Sequence, residues 1–389
     1  PSLGAADVLI SAKLHYEMMG WSRGNSFYAH NVTDGNWSYD TVTWNTQPQF
    51  EGKILDYTTT GDSGDLVLDI TKAAKDWYYG GETHRGVVLT SADENAAYSV
   101  TLRAMSATST SYIEIRYRSN TGIEDSLSYT TVNAGDGGVV YVNNANGVIT
   151  LIRDDIESNS SANPFSISHV YNGNVSYRDA FVDMRVGKGW RLNIQKTISE
   201  DEYSYTDSDG TEHRFYDNGD GYIDEDGLGM TLSEDSQTYT YTVTDAAGEK
   251  MVFEQFGRMA YILYEESASG DRITYTYDEE IYSRVIKVED VSGQSAELTY
   301  NSDGYLSEII YNYNASDSTY SRKLIYGYSE DGCLTSVNDT AYPGKQITYT
   351  YSDGYDRDIM SVTDRSGMHT VFEYNATDAV SVFNTSAVK

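Results

Sequence analysis

From residue 256 onward the chain repeats itself about every two dozen residues, and this period restricts its fold more than any other feature. Each unit carries a Tyr-rich, strand-like run that leads into a Gly turn. The runs are ITYTYD (Ile273–Asp278), AELTYNSDGYL (Ala296–Leu306), KLIYGYSEDGCL (Lys323–Leu334), QITYTYSDGY (Gln346–Tyr355) and TVFEYN (Thr370–Asn375). With one tyrosine taken per unit, Tyr275, Tyr300, Tyr326, Tyr349 and Tyr374 stand 25, 26, 23 and 25 residues apart. One such hairpin cannot bury its own apolar face, but neighbours stacked side by side can. The spacing therefore predicts consecutive β-hairpins over residues 256–375 in one continuous, curved sheet. It also predicts that one tyrosine of each pair packs inward while the hydroxyl of the other faces solvent.

Composition agrees with an all-β chain. There are 36 Tyr and 33 Gly but only 4 Pro in 389 residues. Tyr, Val, Ile and Thr suit a half-buried pleated surface. The one fair helical window is short, Ile70–Tyr78. Lys plus Arg number 27 and Asp plus Glu 59, a formal net charge of −32. Such a surface repels nucleic acid and anionic membrane, and it suits a secreted protein or one that binds cations. No apolar run is long enough for a transmembrane span. The single cysteine, Cys333, rules out an internal disulfide and is expected as a small buried residue. The chain starts at Pro1 and its last repeat breaks off within Ala376–Lys389, so it reads as an internal piece of a longer protein.

Three regions follow along the chain. In residues 1–118, short strand-like runs separated by turns predict a β-sandwich. They are Asp7–Tyr16, Val42–Trp44, Leu66–Ile70, Gly86–Leu89, Tyr98–Leu102 and Tyr112–Tyr117. Thr71 is placed to cap a helix over Lys72–Tyr78, Trp77 to pack it on the sheet, and Gly80-Gly81 to stop it. The motifs TVTWNTQP (Thr41–Pro48), LVLDITKAAKDWYYGGETHRGVVL (Leu66–Leu89) and YIEIRYR (Tyr112–Arg118) resemble the DNRLRE family, a jelly-roll-like module of bacterial surface proteins.

Residues 119–255 read as a lead-in. Gly135–Ile156 forms a hairpin around Asn144–Gly147. PFSISHVYNGN (Pro164–Asn174), GKGWRLNIQKTI (Gly187–Ile198), YSYTDSDGTEHRFY (Tyr203–Tyr216) and EKMVFEQFGRMAYI (Glu249–Ile262) follow. Trp190 and Phe253, on alternating segments, are expected to be buried. The order of these motifs, with the repeats of residues 256–389 behind them, resembles Rhs-type bacterial proteins and their YD repeats. The resemblance runs from about Gly122 to Tyr374. It implies the opening section of a hollow, spiralling β-shell, whose C-terminal extension in many bacterial members is a toxin.

Candidate sites are sparse. Gly61-Asp62-Ser63-Gly64 has a protease-like string, but Asp65 follows and too little chain precedes it to build a catalytic triad, so it reads as a polar turn. Asp217, Asp220 and Asp224 lie in an Asp/Asn/Gly stretch like a calcium loop. The EF-hand register fails there, because Tyr216 and Gly227 fall on the first and last ligand positions. A hairpin turn is the expectation and a calcium site the alternative; the Asp207 and Asp209 turn is read the same way. The six histidines show no metal-ligand spacing. Asp154 and Asp155 are adjacent on a strand and so point to opposite faces. Trp21, Trp37 and Trp44, with Tyr39 and Tyr57, are candidate glycan contacts in the first region, as stacking platforms for sugar rings.

The sequence thus predicts an all-β, non-enzymatic fragment of a secreted or cell-surface bacterial protein: an N-terminal β-sandwich for anchoring or adhesion, then a β-hairpin array that begins an Rhs-type shell. Its partners would be a C-terminal effector region of the same protein and surface or cell-wall glycans, with no nucleic acid and no cofactor required. The alternatives are a carbohydrate-binding adhesin and, disfavoured, a hydrolase.

Overall fold

The computed structural model describes residues 7–385 apart from 36, 39, 62–63, 80–83, 94, 96–99, 104–109, 120, 175–184, 201–202, 314–320, 354–356 and 375–379. Tyr39, Gly80, Gly81, Asp62 and Ser63 therefore lie outside the described residues. The chain divides into two compact units, Pro1–Ser119 and Asn120–Lys389.

The first unit is a β-sandwich. Its longest strand, Asp7–Trp21, pairs with Asp65–Asp69 along one edge and with Tyr112–Ser119 and Val100–Leu102 along the other. The second sheet runs Phe50–Thr59, Ser26–Val32, Val87–Ser91. Asp65–Asp69 alternates exposed and buried residues, so Leu66 and Leu68 point inward. They meet Ala12, Leu14, Met18, Ala29 and Ile70 between the sheets. The helix spans Thr71–Tyr79. Thr71 does not cap it, because its hydroxyl accepts the amide of Ala12 while Asp69 accepts the amide of Thr71. Ala73, only 1 % exposed, seats the helix. Trp77 is half-buried and stands edge-on to His84.

In the second unit an eighteen-strand antiparallel sheet runs in strict chain order from Thr197–Ser199 to Val380–Thr385, crossing residues 255 and 256 without a break. Its first eight strands close on themselves. Met259–Glu266 pairs through Met259–Tyr261 with the first strand, Thr197–Ser199, and through Tyr264–Glu266 with the next repeat strand, Arg272–Tyr277. The same strand thus shuts a ring and feeds the array that leaves it. Consecutive hairpins follow from there, as the Tyr period predicts.

Turn chemistry sets each hairpin. In Asp245–Glu249, Asp290–Gln294 and Asp364–Met368 the leading carboxylate accepts the amides two and four residues on. Glycine takes the fourth position at φ 87, 81 and 88, the left-handed residue of a three-residue hairpin loop.

The tyrosine pairs behave differently from the expectation. The two members are two residues apart on a strand, so both face inward. The first position, Tyr275, Leu298, Tyr326, Tyr349 and Phe372, is buried. The second, Tyr277, Tyr300, Tyr328, Tyr351 and Tyr374, does not offer its hydroxyl to water. It donates to the carbonyls of Ile262, Val285, Leu306, Leu334 and Ile359 at 2.7–2.9 Å. Tyr277, Tyr300, Tyr328 and Tyr351 each follow a β-bulge and lie opposite Val285, Leu306, Leu334 and Ile359. Each of those four residues lends its carbonyl to the next tyrosine, so the bonds form a ladder across the array. Bulges bend and twist a sheet, and here one recurs at the same position in four successive hairpins. The equivalent tyrosines are therefore spaced 23, 28, 23 and 23 residues apart. The spacing read from sequence had mixed the two positions.

The resemblance implies a hollow shell, but the inner face here is filled. A five-stranded sheet, ordered Trp190–Leu192, Ser166–Asn172, Ile149–Glu157, Val139–Asn143, Tyr129–Asn133, shares one hydrophobic core with the repeats. Trp190 is 4 % and Phe253 0 % exposed, as expected. Arg153 clamps Asp155 at 2.8 and 3.0 Å and donates to Tyr349 at 2.6 Å. Tyr326 and His169 complete the coordination of Asp155. Burial alone would raise the pKa of Asp155, but Arg153 and His169 outweigh it and hold the carboxyl well below its usual range. Asp154 points outward to Ser168, so the two adjacent carboxylates do face opposite sides.

Candidate glycan-binding face

The outer face of the sheet Phe50–Thr59, Ser26–Val32, Val87–Ser91 carries a row of rings. Period two sends Phe27, Ala29, Val87 and Leu89 toward the core. The same alternation turns Tyr28 and His30 to the other face, where Tyr28 is half-buried and His30 is 6 % exposed. Tyr28 lies opposite Tyr57, with ring centroids 6.4 Å apart at 74°. His30 meets Tyr28 edge-on at 6.4 Å and Phe50 at 5.1 Å. Tyr57–Tyr28–His30–Phe50 is thus a continuous aromatic strip over two strands, and the third joins through Thr90.

His30 fixes the strip. Its Nδ1 lies 3.0 Å from the carbonyl of Glu51, which can only accept, so Nδ1 carries the proton. Nε2 then accepts the hydroxyl of Thr90 at 3.0 Å. One imidazole ties all three strands together. Two shifts of register, on either side of His30, let Leu55 turn into the core while Ile54 and Tyr57 stay outside. Tyr57 is 65 % exposed, an unusual setting for a ring that packing alone would bury.

The tryptophans proposed from sequence do not share one place. Trp21 donates its indole N–H to the carbonyl of Gly61 and packs against the core. Trp37 donates to the carbonyl of Arg85 at 2.8 Å and covers Gly86, where a Cβ would lie 2.9 Å from the ring. Both indole N–H groups are held by backbone carbonyls. Trp44, in the turn Trp44–Thr46 just before Phe50, is 79 % exposed. Tyr28, His30 and Phe50 were missed. The alternation in SFYAHNV was a readable signal for two of them, but it was masked by the larger tryptophans.

The acidic candidates face their own turns. Asp217 and Asn218 each accept an amide two residues on. The two oxygens of Asp224 accept the amides of Leu228 and Met230. Asp220 belongs to the Asp217–Gly221 tip, which the amide of Asn218 closes on the carbonyl of Gly221 at 3.0 Å. Among the described residues no group of three or more His, Cys, Asp or Glu is arranged to hold a metal ion.

Asp207 instead takes part in a compact charge cluster. His213 bridges Asp207 at 3.1 Å through Nε2 and Asp226 at 3.0 Å through Nδ1. Burial would lower its pKa, but the two carboxylates raise it to about 9, so the ring is an imidazolium at neutral pH. Burial, helped by the charge of Asp207, pushes Asp209 up to about 7.

Residues 10–117 match carbohydrate-binding module family 96. No curated protein matches the chain. Among solved structures, a porin-like protein from Bacteroides uniformis ATCC 8492 aligns over 61 % of this chain and 94 % of its own, at 12 % identity and TM-score 0.28. A Photorhabdus luminescens Tc holotoxin pore aligns over 67 % of this chain and 19 % of its own, at 10 % identity and TM-score 0.21. No helix among the described residues is long and apolar enough to cross a membrane.

Proposed function

We propose that the first unit binds a glycan on the aromatic strip Tyr57–Tyr28–His30–Phe50, with Trp44 at its end, and that the second unit is a rigid, non-enzymatic scaffold. The observation that carries the reading is the outward strip itself. Tyr57 is open to solvent and Tyr28 and Phe50 are half-buried, while His30, only 6 % exposed, is fixed by its hydrogen bonds between them. Rings held in place in this way offer apolar faces to the C–H faces of sugars at little entropic cost. The match to a carbohydrate-binding family over the same residues supports it. An extracellular or surface setting, where such polymers lie, follows from the same reading.

For the second unit, the finer reading is the opening section of an Rhs-type shell that would present an effector region. The strand that both closes the ring and continues the array supports it, because a spiral begins in this way. The filled interior makes this section a plug. The scaffold reading fits the Arg153–Asp155–His169 network, whose three side chains are at most 3 % exposed.

The first test is a glycan microarray probed with the full chain and with Tyr57→Ala. Selective binding that is lost in the variant is expected. Binding of equal strength in both would move the site elsewhere, and a blank array would remove the glycan reading.

A further inference from the structure

We propose that a cavity at one mouth of the closed eight-strand ring binds a linear polyamine, ammonium groups joined by short methylene chains. The cavity has a volume of about 590 Å³ and lies wholly within the second unit. Its lining includes Tyr205, His213, Met251 and Glu265 of the ring strands and the Asp245–Glu249 turn, together with Asp125 from the chain before the ring.

The floor and rim differ in chemistry. On the floor Lys196 pairs with Glu265 at 2.8 Å and His213 bridges Asp207 and Asp226, two cations against three carboxylates. Between those pairs lie the thioethers of Met230 and Met251 and the ring of Tyr205, surfaces that accept methylene groups. At the rim the exposed Asp125 and Glu249 outnumber the ammonium of Lys250.

An independent observation points to a donor ligand. Tyr205 is 3 % exposed, yet its hydroxyl donates only to Sδ of Met251, at 3.1 Å, and no donor to its lone pairs is found among the described residues. A thioether is a weak acceptor, and a buried hydroxyl left so poorly partnered is costly. An ammonium N–H entering the cavity would supply the missing donor. Burial drives the pKa of this hydroxyl well up, and Asp207 and Glu265 add to it against the opposing charge of Arg191, so carboxylates outnumber cations around it.

The experiment is calorimetric titration of the full chain with spermidine at about 0.15 M ionic strength, where diffuse attraction to a −32 surface is screened. One saturable site is expected. Tyr205→Phe should weaken it about tenfold and Glu249→Gln several-fold. Asp217→Asn, at the far end of the strand that begins beside His213, should leave it unchanged. Glu249 is exposed, so its variant decides the matter even if Tyr205→Phe fails to fold. Absence of a saturable site, displacement by magnesium at equal charge, or equal weakening by Asp217→Asn and Glu249→Gln would each overturn the proposal.

Discussion

The indole N–H of Trp190 donates to the hydroxyl of Tyr351 at 2.8 Å, and that hydroxyl donates in turn to the carbonyl of Leu334 at 2.7 Å. One bond belongs to the inner sheet, the other to the ladder that joins successive repeats. Tyr351 therefore links the plug to the array. Trp190 also packs edge-on to Tyr349 at 5.0 Å.

Removing either partner should have separable effects. Trp190→Ala deletes a buried ring and is expected to cost about 3–5 kcal/mol. Tyr351→Phe keeps the ring but strands a buried N–H and a carbonyl, for about 1–3 kcal/mol. Denaturant unfolding of the full chain gives both numbers. Wild-type stability in Trp190→Ala would contradict the plugged interior.

Two glycines of positive φ make a matched pair. At Gly189, φ +75, a Cβ would stand 2.6 Å from the ring of Tyr171, which is fully buried. At Gly344, φ +74, nothing lies within 4 Å. Both Gly→Ala changes carry the left-handed strain of about 1 kcal/mol. Gly189→Ala should cost about 1–3 kcal/mol more, from overpacking. Equal midpoints in a urea titration would show that the Tyr171 ring has room to move.

The cluster around His213 sets an alkaline limit. Its folded pKa, about 9, is above the ordinary value of 6.5, so its stabilisation is complete below about pH 6.5 and is lost as pH rises through 9. Asp209 acts in the same direction: its contribution is full below about pH 4 and is lost as pH rises through 7. Asp155, depressed, works on the acid side and loses its contribution as pH falls below the ordinary carboxylate value of 3.8. Melting temperature should therefore decline between pH 7 and 10, with a smaller decline in His213→Gln. Identical slopes for the two proteins would remove His213 as the cause.

Much of the fold was legible because β-structure writes itself locally. The Gly turns, the hairpin at Asn144–Gly147 and the Tyr period each predicted an element that is present. The tyrosine hydroxyls were misread because bulges do not show in a hydrophobic pattern. An acceptor such as the carbonyl of Leu334 also has no side-chain signature. The ring closure through Thr197–Ser199 and Met259–Glu266 joins segments about sixty residues apart, and nothing in either run specifies its partner. At the proposed glycan face the sequence supplied Trp44 and Tyr57. It also offered Trp21 and Trp37, whose indoles the fold spends on the carbonyls of Gly61 and Arg85. Which face of a sheet a ring occupies depends on the bulges around His30, and those appear only in the folded chain.

The most direct test of the glycan reading compares two exposed tyrosines on different sheets of the first unit. Tyr57 lies in the proposed strip, while Tyr112, 50 % exposed, belongs to the sheet built on Asp7–Trp21. The full chain, Tyr57→Ala and Tyr112→Ala would be titrated calorimetrically with the glycan selected on the array. Loss of one stacked ring should weaken binding about tenfold in Tyr57→Ala, with Tyr112→Ala unchanged. Unaltered affinity in Tyr57→Ala, or a loss confined to Tyr112→Ala, would contradict the assignment of the aromatic strip as the binding face.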